Sequence, residues 1–62
     1  MDPLDLEEGI KSLPAPQQTV VRMKYYLGMS FRQIGDALAI STYTAASRCR
    51  YALMKLRQIF TR

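Results

Sequence analysis

Residues 41 to 62 hold Arg48, Arg50, Lys55, Arg57 and Arg62 and no acid, a local charge of +5. Residues 1 to 10 hold Asp2, Asp5, Glu7 and Glu8 and no base, a local charge of −4. A guanidinium presents a fixed fork of donors that matches phosphate oxygens, or the two acceptors on the major-groove edge of guanine. Around Arg50 stand Thr42, Tyr43, Ala46 and Ser47. Hydroxyls bond to either base type, and a methyl or an aromatic ring can touch a thymine methyl. The net charge of +4 says less than this separation of sign, in which one end attracts a polyanion and the other repels it. Duplex nucleic acid is the ligand such a set fits.

Catalysis finds little support. There is no histidine, one cysteine, and an acidic group gathered at one end, so neither a nucleophile–base pair nor a metal cage is expected. Three scattered glycines make no phosphate-binding loop. We expect a protein that is not an enzyme and takes no cofactor. The single cysteine excludes an internal disulfide, no stretch nears the ~18 apolar residues of a membrane span, and the acidic start is wrong for a signal peptide, so a cytoplasmic location is expected. Sixty-two residues are expected to make one domain with a small core.

The basic residues need a scaffold, and residues 28 to 57 supply its pattern. Ser30 with Gln33 three residues on is a capping box opening a short helix over 30–38, with Ile34 and Leu38 on its apolar face. Ser41 is a second N-cap, and a longer helix over 42–60 places Ala45, Cys49, Ala52, Leu53 and Leu56 on one inward stripe. Ala39, Ile40 and Ser41 form a turn too short for antiparallel packing. Short helix, tight turn, longer basic helix: this is a helix-turn-helix pattern. The outward arc near the start of the last helix then carries Thr42, Tyr43, Ala46, Ser47 and Arg50, which face base edges, with Arg48 on the flank toward phosphate. Ser30 and Arg32, at the start of the preceding helix, suit a phosphate.

Upstream, Asp2 and Pro3 open a first helix over about 3–12, with Leu6, Ile10 and Leu13 at helical spacing and Gly9 as a weak point. Pro14 and Pro16 stop it. A second helix is predicted over 16–27, lined by Val20, Met23 and Leu27, with Val21 and Tyr25 or Tyr26 near its edges and Gly28 turning the chain out. Four helices and no strand make the class all-α.

Each singled-out residue also has a plainer role. Arg50 can be a solvated cation, Arg48 can pair with Asp36, and Tyr43 can lean onto the core edge. Tyr51 suits packing or backbone contact, Cys49 a buried apolar site, and Met23, Met29 and Met54 core or core-edge filling. Tyr25 and Tyr26 are either half-buried structure or a protein-binding surface.

The run LPAPQQTVVRMKYYLGMSFRQIGDALAISTYTAASRCRYALMKLR resembles the region-4 domain of bacterial RNA polymerase sigma factors, in particular the small extracytoplasmic-function type. The matching elements are Leu13-Pro14 before a helix, Gly28-Met29-Ser30-Phe31 at the turn, Ile34, Ile40-Ser41, Thr44, Ser47-Arg48 and the closing Ala52, Leu56 and Arg57. The resemblance implies that the second helix of the motif reads the −35 promoter element in the major groove. It implies too that preceding helices dock on the flap of the polymerase β subunit, and that an anti-sigma protein covers the same surfaces. Carried over by position, Thr42, Tyr43, Ala46, Ser47 and Arg50 face bases, while Ser30, Arg32 and Arg48 lie nearer phosphates.

The chain departs from that pattern at four places. Ala39 stands where glycine is common, Gly35 where alanine is usual, Ala45 where valine is usual, and Ala46 where relatives often carry a base. Sixty-two residues leave no room for the separate domain that recognises and melts the −10 region, so the chain is either an excised C-terminal domain or a stand-alone small protein built on one. Two other readings compete. A response-regulator output domain would dimerise through its last helix on a palindromic site, and a protein-interaction module would use Val21, Tyr25, Tyr26, Ile59 and Phe60.

Overall fold

A computed structural model describes the backbone of residues 3–60 and the side chains of residues 5–60. Asp2, the expected cap of the first helix, and Arg62 lie outside the described residues. Four helices run in order: α1 (Pro3–Lys11), α2 (Ala15–Tyr25), α3 (Phe31–Leu38) and α4 (Thr42–Phe60). No strand occurs among the described residues, and the class is all-α.

Two apolar clusters hold the helices, and α4 runs through both. Ala45 and Cys49 join Val20 and Ile34, with Met23, Met29, Phe31, Leu38 and Ile40 packed around them. One turn further along α4, Ala52 and Leu56 join Ile10, Leu13 and Val21, with Leu6 against them. Small residues on α4 at 45, 49 and 52 let the shorter helices approach closely, while the bulk comes from Ile10, Leu13, Ile34 and Leu56. Adjacent Val20 and Val21 point into different clusters, because successive helical residues are turned about 100° from one another. Val21, expected near an edge, is buried for that reason.

Four other expectations change. Leu53, placed on the inward stripe, is 42% exposed: the stripe runs through 45, 49, 52 and 56, and Leu53 falls on the flank that α2, ending at Tyr25, does not cover. Met54 is 52% exposed on the same side, so it fills no core. Leu27 lies beyond the end of α2 and is exposed. The helix closes two residues sooner than the pattern predicts, because Gly28 at φ 67° reverses the chain and the Met29 amide bonds back to the Met23 carbonyl at 3.1 Å. Tyr51, expected to pack or to contact the nucleic-acid backbone, is exposed, which removes the packing role.

The ends of α1 and α2 are tied by side chains that periodicity does not reveal. The Gln18 amide donates to the Leu13 carbonyl at 2.7 Å and the Lys11 carbonyl at 3.2 Å, closing the loop between α1 and α2. Arg22 pairs with Glu7 at 2.7 Å, and the Tyr26 hydroxyl donates to the other Glu7 oxygen at 2.8 Å. The Tyr26 hydrogen bond and then Arg22 hold the Glu7 carboxyl below its ordinary value of 4.5. A depressed carboxylate favours the fold above its unfolded pKa, and that contribution fades as falling pH protonates it through the lower folded value. The melting temperature should therefore fall on acidification between about pH 5 and pH 3, and fall less in Glu7→Gln. Thermal melts across that range compare the two slopes, and equal slopes would remove Glu7 from the account.

The turn between α3 and α4 contains the sole non-glycine residue at positive φ among the described residues, Ala39 at φ 57° and ψ 41°. A Cβ in the left-handed region costs about 1–2 kcal/mol that glycine avoids. Ala39→Gly should therefore raise stability, by about 0.5–1 kcal/mol once the looser unfolded chain is counted. A denaturant titration of the two proteins measures the gain.

Candidate nucleic-acid interface

Two serines set the start of the helices that carry the candidate residues. The Ser30 hydroxyl accepts the Gln33 amide at 3.1 Å, and the Ser30 amide donates to the Gln33 side chain at 2.8 Å, so the capping box is complete. Ser41 accepts the Thr44 amide at 2.9 Å, and its hydroxyl donates to the Thr44 hydroxyl at 2.9 Å. The capping box takes up the amides of Ser30 and Gln33, which leaves those of Phe31 and Arg32 as the donors for an anion at the start of α3.

Beyond Ser41, the first turns of α4 bury Ala45 and Cys49 against Val20 and Ile34 and turn the opposite arc to solvent. Tyr43 is 81% exposed, so it does not lean onto the core. Thr42 and Arg50 are exposed on the same arc, while Ala46, Ser47 and Arg48 are half-buried along its margins. No ion pair links Arg48 to Asp36 among the described residues. Ser30 and Arg32 are exposed at the neighbouring start of α3. Ser30 and Arg32 flank Phe31, which lines a groove with Ala46 and Arg50, while Thr42, Tyr43, Ser47 and Arg48 lie along the first half of α4, a helix with no acid.

An open groove of about 390 Å³ runs beside this arc, between Arg50 and Ala46 on one side and Tyr25 and Phe31 on the other. Its floor is Cys49, Leu53 and Met54. Lys24 sits over the Phe31 ring, 4.5 Å from its centre, and adds a cation to the rim that helix periodicity did not single out. The clue was its place in the last turn of α2, a short link away from Phe31. Burial pushes the Cys49 thiol above its ordinary value, so this side chain acts as a small apolar group and not as a nucleophile.

A second apolar surface lies on the α1–α2 side, where Leu6, Tyr25, Tyr26 and Leu53 surround a dent floored by Ile10, Val21 and Leu56. Tyr25 and Tyr26 are both more than half exposed, although the Tyr26 hydroxyl is committed to Glu7. Ile59 and Phe60 lie apart from it, with Asp5 and Glu8.

Two helices joined by a three-residue turn, the second basic and exposed along its first turns, define a helix-turn-helix DNA-binding domain. Residues 9–58 match the family described as Sigma-70, region 4, and the chain belongs to that family. It is a family of promoter-binding domains of transcription initiation that work with RNA polymerase. No curated protein and no solved structure matches the chain. No helix among the described residues is long and apolar enough to cross a membrane.

Proposed function

We propose that the domain recognises a −35-like promoter element, with the N-terminal turns of α4 in the major groove, as region 4 of a sigma factor of the extracytoplasmic-function type. The observation that supports this most is the exposed arc of Thr42, Tyr43 and Arg50, flanked by Ala46 and Ser47, on a helix without acids. Arg50 reads guanine through its fork, Tyr43 and Ala46 meet thymine methyls, and Thr42 and Ser47 bond to base edges. Ser30, Arg32 and Arg48 hold phosphates and fix the register. The Ser30 hydroxyl accepts from Gln33 and keeps its own proton for a phosphate oxygen. The work is binding, with no catalysis, and its place is the cytoplasm.

The same reading gives the dent edged by Leu6, Tyr25, Tyr26 and Leu53 to the polymerase β flap. It shares no residue with the DNA-facing arc, although Tyr25 and Leu53 also line the groove beside that arc. An anti-sigma protein covering either surface would block initiation.

Selection of bound duplexes from a random pool at two salt concentrations tests the proposal. One short, non-palindromic motif is expected, with log K falling by ~0.9 per phosphate neutralised for each decade of salt. A palindromic motif bound by a dimer would replace this reading with the response-regulator type. The absence of enrichment at low salt would favour the protein-interaction reading.

A further inference from the structure

We infer that Gly35, which touches no DNA, is a positioning residue for base reading, because its bare Cα fixes the height at which α4 leaves the turn; this rests on the promoter reading above. A Cβ at Gly35 would lie 2.8 Å from the Ile40 carbonyl oxygen, 3.3 Å from the Ser41 carbonyl carbon and 3.3 Å from the Thr42 nitrogen. All three are backbone atoms, so no side-chain rotation makes room for a methyl. The turn is also held against the same residue by hydrogen bonds, since the Ala39 and Ile40 amides both donate to the Gly35 carbonyl, the latter at 2.9 Å.

Ser41 passes any shift of this turn directly into α4. Its carbonyl accepts the Ala45 amide at 3.0 Å and its hydroxyl accepts the Thr44 amide at 2.9 Å, so the cap and the first helical turn move together. The far half of α4 is fixed separately through Ala52 and Leu56. A displacement at residues 40 to 42 therefore tilts the helix rather than sliding it. Thr42 and Tyr43, nearest the turn, move most, while Ser30 and Arg32 stay in place on α3. The base readers shift against the phosphate anchors, and recognition geometry tolerates only about 0.5 Å of such error.

Ala39 completes the arrangement. Its left-handed backbone makes the tight turn that lays Ile40 over Gly35; glycine at 39 holds the same turn without strain when residue 35 is glycine, and lets it yield when a methyl crowds it. Relaxation can relieve a crowded methyl at 35, but it does so by letting the turn move, so it restores stability without restoring position.

Four proteins test this: wild type, Gly35→Ala, Ala39→Gly and the double variant. Residual dipolar couplings report the α3–α4 orientation without DNA, and duplex selection with affinity titration is done at a temperature where each protein is folded. Gly35→Ala should change the α3–α4 couplings, weaken binding to the wild-type motif about tenfold, as for one lost base contact, and alter the preferred bases. Ala39→Gly should leave couplings and motif unchanged. The double variant should regain thermal stability yet keep the altered preference, and it carries the measurement if Gly35→Ala alone does not fold.

Unchanged couplings would overturn the inference, as would a double variant that regains the wild-type motif together with its stability. If neither variant folds, Gly35 serves folding alone and the inference also falls. A wild-type protein that selects no motif would refute the promoter reading itself, and the couplings would still decide whether Gly35 sets the position of α4.

Discussion

Replacing Arg50 with alanine is expected to weaken binding to the preferred duplex by about 5- to 150-fold, the loss of one bidentate guanine contact worth about 1–3 kcal/mol. The side chain is exposed beside Ala46, and its removal leaves no buried donor without a partner. Thermal stability should therefore move by no more than about 0.5 kcal/mol. Arg48→Ala is the contrast. Arg48 is half-buried on the flank; as the phosphate contact proposed above, its loss should weaken all sequences alike and lower the salt slope by about 1. Anisotropy titrations against the selected duplex and a scrambled one separate the two cases. An equal loss on both duplexes for Arg50→Ala would make this guanidinium a phosphate contact and remove its role in reading sequence.

The second large effect is on the fold. Ile34 is fully buried in the cluster with Val20, Ala45 and Cys49 that fixes α3 against α4. Ile34→Ala deletes apolar bulk and leaves a cavity, at a cost of about 2–5 kcal/mol. At the usual stability per residue, a 62-residue domain has roughly 3–9 kcal/mol in total, so this one change removes much of it. A fall in melting temperature of about 8–40 °C is expected by circular dichroism. Leu53→Ala, on the open flank of α4, is the control and should change little. A fall of similar size for Leu53 would mean that the exposed flank is covered in solution.

What could be read from the residues follows the strength of local signals. The capping box at Ser30 and the cap at Ser41 depend on side chains bonding within three residues, so their spacing alone identifies them. The stripe of Ala45, Cys49, Ala52 and Leu56 is likewise a property of one helix. Leu53 and Leu27 show where such reasoning stops. Periodicity says which residues share a face, and only the reach of the neighbouring helices says how wide a covered face is. The pairing of Glu7 with Arg22 and Tyr26 joins positions far apart in the chain and depends on how α1 lies against α2. No spacing rule reaches that far. For the candidate interface, helical phase alone was enough to group Thr42, Tyr43 and Arg50, whereas Lys24 enters from another helix across a turn. Substituting glycine and alanine between 35 and 39 was visible as a departure from a family pattern, and its meaning needed the distance from Gly35 to the Ile40 carbonyl.

The division of the interior into two clusters has a consequence for how the molecule breathes. Cluster membership ties α1 to the rest through Leu6 and Ile10, with Leu13 in the following loop, helped by a partly exposed ion pair, whereas α3 is clamped to α4 beneath the candidate interface. Opening therefore has a natural sequence: α1 can lift away while Val20, Ile34, Ala45 and Cys49 stay packed. Amide protons of α1 then exchange with solvent through a partial opening, and those of α3 and the first half of α4 wait for the whole domain to unfold. The half that carries the candidate interface is therefore expected to loosen last, and the acidic helix first.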